Sequence, residues 1–140
     1  MNPFIPGEEE KLIAELKYLL DLDIQVTASC NRVSARDGHM VSVELEVDKA
    51  TDLENVKNLM KIERLNLPSS PEIVNNIIEQ TPNRDRDLWT GDGMSITVGN
   101  VHVDGNNIRF DALSNNTIRG AAGGVILLAE YAVKEAYITK

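Results

Sequence analysis

The chain has 140 residues, 42% hydrophobic and 26% charged, and a formal net charge of −8. That is one domain's worth of an ordinary globular sequence, long enough to bury a core. The acidic balance argues against a nucleic-acid or anionic-membrane partner, since both require a basic footprint. Cys30 is the only cysteine, which excludes a disulfide framework and a cysteine-based zinc site, and no metal site is expected. The start, MNPFIPGEEEK, has no apolar h-region, and no apolar run approaches ~20 residues. The cytoplasm is therefore the default compartment, with no membrane partner.

Residues 8–20 predict an amphipathic helix. Leu12, Ile13, Leu16, Leu19 and Leu20 form its stripe, and Glu8, Glu9 and Glu10 occupy the first turn, where the helix dipole favours negative charge. Two strands are then expected. In 24–31 the even positions Ile24, Val26, Ala28 and Cys30 are apolar, and in 41–47 the odd positions Val41, Val43, Leu45 and Val47. Such alternation suits an antiparallel pair with one buried face. Asp52 begins a second helix with Leu53, Val56, Leu59 and Met60 on its stripe. After the break LNLPSSPE, a short third helix is predicted from Pro71 to Gln80, carried by Ile73, Val74, Ile77 and Ile78.

TPNRDRDLWTGDG reads as a loop. Met94 to Val103 and Asn107 to Leu113 predict strands joined around Asp104-Gly105-Asn106, a hairpin signal. The last helix is expected from about Thr117 to Ala136, and its start, RGAAGGVILLAEYA, is small enough to approach a neighbour closely. The fold class predicted is α+β, an antiparallel or mixed sheet with helices on one face. The sheet's second face, with Glu44, Glu46 and Thr97, is expected to be covered in a homodimer.

The connection CNRVSARDGH holds two arginines, an aspartate and one of the two histidines. Arg32 continues the apolar parity of the first predicted strand and His39 that of the second, so a hairpin would send both from the sheet on its core side. A guanidinium there is costly without a partner or a solvated cleft. The alternative is that the strand frays at Asn31 and Arg32 bends out to water. Together the two groups offer a fork for a carboxylate and an imidazole that moves a proton near neutral pH, a combination suited to an acidic substrate. Cys30 lies on the apolar face of a predicted strand and is read as a small buried hydrophobe, the alternative being a thiolate supported by Arg32 two residues on.

IPGEEEK, CNRVSARDGH, RDRDLWTGDGMSITVGNV and NNTIRGAAGGVILLAEYA, in that order, closely resemble the second half of aspartate-semialdehyde dehydrogenase, in the archaeal-type branch that also contains malonyl-CoA reductases. The resemblance covers essentially the whole chain. It implies a C-terminal catalytic and dimerisation domain like that of the aspartate-semialdehyde and glyceraldehyde-3-phosphate dehydrogenases. It also implies NADPH-dependent reduction of aspartyl 4-phosphate to the semialdehyde with release of phosphate, on the route to lysine, threonine and methionine. By the same resemblance Arg32 holds the substrate's α-carboxylate, His39 is the general acid/base, Glu8 meets the amino group, Lys11 binds phosphate, and Asn116 lies near the nicotinamide carboxamide. Arg119 and Gly120 would begin the helix that returns to the cofactor domain.

Each of these has a plainer alternative. Glu8 and Lys11 suit any solvated helix. Asn116 could cap the final helix, a place for which Thr117 competes. The RDRD run could be only a solvated loop. The family's NADP-binding domain with its glycine-rich phosphate turn, its nucleophilic cysteine and a substrate-binding glutamine are not found in these residues: TGDG precedes a strand and GAAGG lies within a helical pattern. Residues 1–140 are therefore expected to be a partial catalytic and dimerisation domain, inactive alone and needing either the rest of its chain or a separate N-terminal NADP-binding chain. Ser34 stands where the family commonly has proline, and Arg36 leaves open which arginine meets the carboxylate. Malonyl-CoA reductase and a non-catalytic module that binds a small acid or pairs subunits are the alternatives.

Overall fold

The computed structural model describes residues 6–138, which divide between Arg36 and Asp37 into two compact units. In the first, α1 runs Glu8–Leu20 with all three predicted glutamates in its first turn. Gly7, at φ 80, starts it without a side-chain cap. Ile13 and Leu16 are half-buried, while Leu19 and Leu20 of the same stripe are exposed.

The strand predicted over 24–31 does not form: residues 22–33 carry no regular structure. Alternation gives a segment one apolar face, but a strand exists only through hydrogen bonds to a neighbour, and among the described residues this backbone has no ladder partner. The Cys30 amide donates instead to Glu9 Oε1 at 2.7 Å.

The second unit is built on a four-stranded sheet: β1 (His39–Glu46), β2 (Asn75–Ile77), β3 (Ile96–Asp104) and β4 (Asn107–Ser114), in the order β1-β4-β3-β2. The β1–β4 and β3–β4 pairs are antiparallel and β2–β3 is parallel, so the sheet is mixed and the class is α+β. The predicted β3–β4 hairpin forms, with Gly105 at φ +60 in its two-residue turn. The helix expected over 71–80 is absent and β2 lies within it. The Ile-Val-Asn-Asn-Ile-Ile run is β-branched and poor in helix formers, and β3 offers it a ladder, so tertiary pairing overrides the helical spacing. Asn75 Nδ2 fixes the run by donating to the Met60 carbonyl at 2.8 Å.

The helix α2, Leu53–Met60, begins where predicted: Asp52 caps it by accepting from Asn55 N at 2.9 Å. It covers the apolar face of the sheet, where Val56 packs with Val98, Val101 and Ile108. Alternation along β1 and β4 puts Val41, Val43 and Leu45 on that face beside Ala112, Phe110 and Ile108.

The other face is partly covered by the chain itself. The one-turn α3, Arg84–Asp87, and Leu88 lie over Thr97 and Leu113, which are 0% and 3% exposed. Thr97 is therefore not part of an open second face as the sequence suggested; Glu44 and Glu46 are. A bulge between Gly99 and His102, with Asn100 at φ 54, lets Asn100 Nδ2 reach Asp111 at 2.7 Å. Ser42 Oγ donates to the other carboxylate oxygen at 2.6 Å.

The chain ends in one π-helical turn, Ile118–Ala122, continued by α4, Gly123–Lys134. The small residues do allow a close approach, since a Cβ at Gly123 would lie 2.4 Å from Met94 Sδ. Among the described residues no helix is long and apolar enough to cross a membrane.

Gly99 marks the tightest contact in the sheet: a Cβ there would lie 2.1 Å from the Gln80 carbonyl oxygen. The obstacle is backbone and not the end of a flexible side chain, so Gly99→Ala must displace either β3 or the bend at Gln80 and is expected to destabilise the fold by about 1–3 kcal/mol. A urea-unfolding midpoint equal to the parent's would contradict this.

Candidate functional site

The turn that leads into β1 is organised around one peptide unit. The Asp37 carbonyl accepts from Arg84 Nε at 2.8 Å. The N–H of that same unit, on Gly38, donates to Asn116 Oδ1 at 2.8 Å. Gly38 has φ +100, and a Cβ on it would meet Leu88 Cδ1 at 3.0 Å. The positive φ favours glycine there, and a Cβ would also have to push the end of the Leu88 side chain aside. One residue on, His39 opens β1 opposite Ser114, with an exposed side chain.

Both residues that grip this peptide are themselves fixed. Arg84 opens α3, where Asn83 Oδ1 accepts from Asp85 N at 2.9 Å. Asp87, buried at the end of that turn, accepts from Asn83 N and from Nε and Nη2 of Arg86, each at 2.7 Å. These hydrogen bonds from Arg86 hold the Asp87 carboxyl below the usual aspartate range; burial opposes them, and the Asn83 N–H and the Arg86 charge add to them. The Asp87 carbonyl accepts from Thr90 Oγ1 at 3.0 Å, tying the turn to the loop beyond. RDRD is thus an anchored turn and not a solvated loop. Arg84 also donates to Asp85 Oδ1 at 2.9 Å and stands 3.9 Å from the Asp37 carboxylate.

Asn116 follows Asn115, which is 1% exposed. Asn115 Oδ1 accepts from Thr117 N at 3.1 Å and Ile118 N at 2.9 Å. Thr117 stands at the N-cap position of the final helical segment but makes no side-chain cap bond; Asn115 supplies the capping oxygen instead, and Asn116 is left to reach back to Gly38.

In the first unit, Glu8 is half-buried, and Lys11 is exposed and paired with Glu15 at 3.4 Å one turn on. Arg32 is exposed in the irregular segment. Cys30 is half-buried, and its thiol is raised by desolvation first, then by the charges of Glu8 and Glu9. That is the reverse of what a thiolate nucleophile needs, in line with the sequence reading.

The residues singled out in sequence thus fall into two sets. Glu8, Lys11 and Arg32 belong to the first unit; His39 and Asn116 belong to the second, where Asn116 bonds the amide of Gly38, the residue before His39. Arg84, Leu88 and Asn115 were not anticipated. No local pattern ties Arg84 to a carbonyl 47 residues earlier, although Asn83 before an acidic turn is a legible helix start. Among the described residues no cluster of His, Cys, Asp and Glu could hold a metal ion.

Residues 5–119 match the family described as the semialdehyde dehydrogenase dimerisation domain. An aspartate-semialdehyde dehydrogenase of Archaeoglobus fulgidus is 42% identical over 152 residues, covering 97% of this chain and 43% of its own length. A malonyl CoA reductase (NADP) of Metallosphaera sedula is 34% identical over 128 residues, covering 84% of this chain and 36% of that protein. The crystal structure of aspartate semialdehyde dehydrogenase with NADP from Candida albicans superposes with a TM-score of 0.81 at 32% identity, over 97% of this chain and 45% of that one. The chain spans less than half the length of these relatives.

Because the Asp87 carboxyl is depressed in the folded state, its stabilising effect is complete above the unfolded aspartate value and fades as pH falls through the folded one. Asp87→Asn is expected to lower the urea midpoint at pH 7, with the gap from the parent closing as pH drops below about 4. A gap that is constant across that window would contradict the assignment.

Proposed function

The chain belongs to the semialdehyde dehydrogenase dimerisation-domain family, and we propose that it is the larger part of the catalytic and dimerisation half of an NADP-dependent aspartate-semialdehyde dehydrogenase. The reaction is the reductive dephosphorylation of aspartyl 4-phosphate. The observation that carries the reading is the Asp-Gly-His turn, gripped by Asn116 and opening onto an exposed imidazole at a strand end. A ring so placed can reach a substrate from a backbone held by the β1–β4 ladder and the bonds on the preceding peptide.

In this reading His39 moves the proton for a thiol supplied by the dinucleotide-binding half, and Cys30 is not that thiol. Arg32 takes the α-carboxylate with its planar fork, Glu8 the ammonium, and Lys11 the phosphate. The exposed Lys11–Glu15 pair is weak enough for a phosphate to displace. NADP, when bound, exchanges hydride with the substrate carbon. Asn116 fits a place beside the carboxamide in one respect: its Oδ1 is committed to Gly38, which leaves Nδ2 as the available donor. The dinucleotide-binding half, the homodimer and a cytoplasmic location belong to the same proposal, and the dimer is supported by the family's description as a dimerisation domain.

The malonyl CoA reductase relative supports a second reading. Arg32 and His39 serve either substrate, whereas a carboxylate at Glu8 favours one with an ammonium group.

The test is to combine the chain with a separately expressed dinucleotide-binding half and follow the phosphate-dependent oxidation of aspartate semialdehyde. The chain alone is expected to show no dehydrogenase activity and no measurable NADPH affinity; reduction of NADP by it alone would reject the assignment. In the combined enzyme His39→Asn should lower kcat about 10²–10⁴-fold, the usual contribution of a general acid/base. Arg32→Ala should impair substrate use far more than cofactor binding. Turnover of malonyl-CoA but not of the semialdehyde would select the second reading. Light scattering should give a dimer, and a monomer at high concentration would remove that part.

A further inference from the structure

We propose that Arg84 is a positioning residue for His39, acting through the Asp37–Gly38 peptide. This rests on the reading of His39 as the general acid/base.

A peptide unit is a rigid plane, so its orientation is set once both its oxygen and its nitrogen are fixed. Here the oxygen is fixed by Arg84 Nε and the nitrogen by Asn116 Oδ1, each at 2.8 Å and each from a different part of the sheet unit. One bond alone would leave the plane free to rotate about it. That freedom is considerable, because the next residue is glycine, the least restrained in φ and ψ. The other side of the turn is already settled, since His39 is locked into the β1–β4 ladder opposite Ser114. The plane before Gly38 is thus the remaining variable in how the chain enters His39, and Arg84 removes it. Arg84 is well suited to the task. Its own turn is anchored by the buried Asp87, which accepts from Asn83 N and Arg86. Its contacts are to Asp37 and Asp85, so its effect on the imidazole is through the backbone, and the energy at stake is one of aim. A misplacement of about 1 Å at a reacting group can cost roughly 10²-fold in rate.

The experiment compares Arg84→Ala, Arg84→Lys, His39→Asn and the Arg84→Ala/His39→Asn double variant in the combined enzyme, alongside amide hydrogen exchange of the 140-residue chain. Arg84→Ala is expected to lower kcat about 10–100-fold with little change in KM, and to add nothing once His39 is already asparagine. Arg84→Lys, which keeps a donor for the Asp37 carbonyl, should recover part of the loss. Exchange at the Gly38 amide should quicken in Arg84→Ala while Val98 and Leu113 stay protected. A kcat within twofold of the parent, losses that multiply in the double variant, or an unchanged Gly38 amide would each overturn the proposal. Lost protection throughout β3 and β4 would do so too, by making the role merely structural. A fully active His39→Asn enzyme would sink the functional reading instead, and the exchange comparison would still decide whether Arg84 holds the turn.

Discussion

The peptide between Asp37 and Gly38 is held at its oxygen by Arg84 and at its nitrogen by Asn116. Much of the second unit is arranged around that pair of bonds. For Asn116 to reach Gly38, β4 must run antiparallel to β1 and end opposite its start, which the Ser114–His39 register achieves. Asn115 must also take over the capping of the helical segment. For Arg84 to reach Asp37, α3 must lie over the less apolar face of the sheet, which requires Asp87 to be buried and paired and Leu88 to pack against Gly38. A glycine at 38 completes the set, because any side chain would press on Leu88.

Elements that carry their own local logic were legible in the sequence. α1 has both boundaries where the glutamate turn and the apolar stripe put them, α2 starts at its aspartate cap, and the β3–β4 hairpin follows from Gly105. Two segments failed for complementary reasons. The 24–31 run alternates like a strand but has no ladder to join, while 71–80 is spaced like a helix but finds one on β3. Periodicity describes a face; it does not supply the neighbour that the face or the backbone needs.

At the site, residue types could be read and relationships could not. An arginine and an imidazole in one connection raised the expectation of an acidic substrate, and the order of motifs indicated the family. Which asparagine caps and which reaches back to Gly38 depends on the position of β4 in space. From sequence, Asn116 and Thr117 compete for the cap, and Asn115 is not anticipated. Arg84 lies in a run whose charges resemble an ordinary wet surface, and only the burial of Asp87 distinguishes it.

β1 closes the sheet on one side, and its outer border has no neighbouring strand among the described residues. Such a border is ordinarily an invitation to polymerise. Glu44 and Glu46 stand along it, both exposed, so two copies meeting border to border would crowd carboxylates against carboxylates.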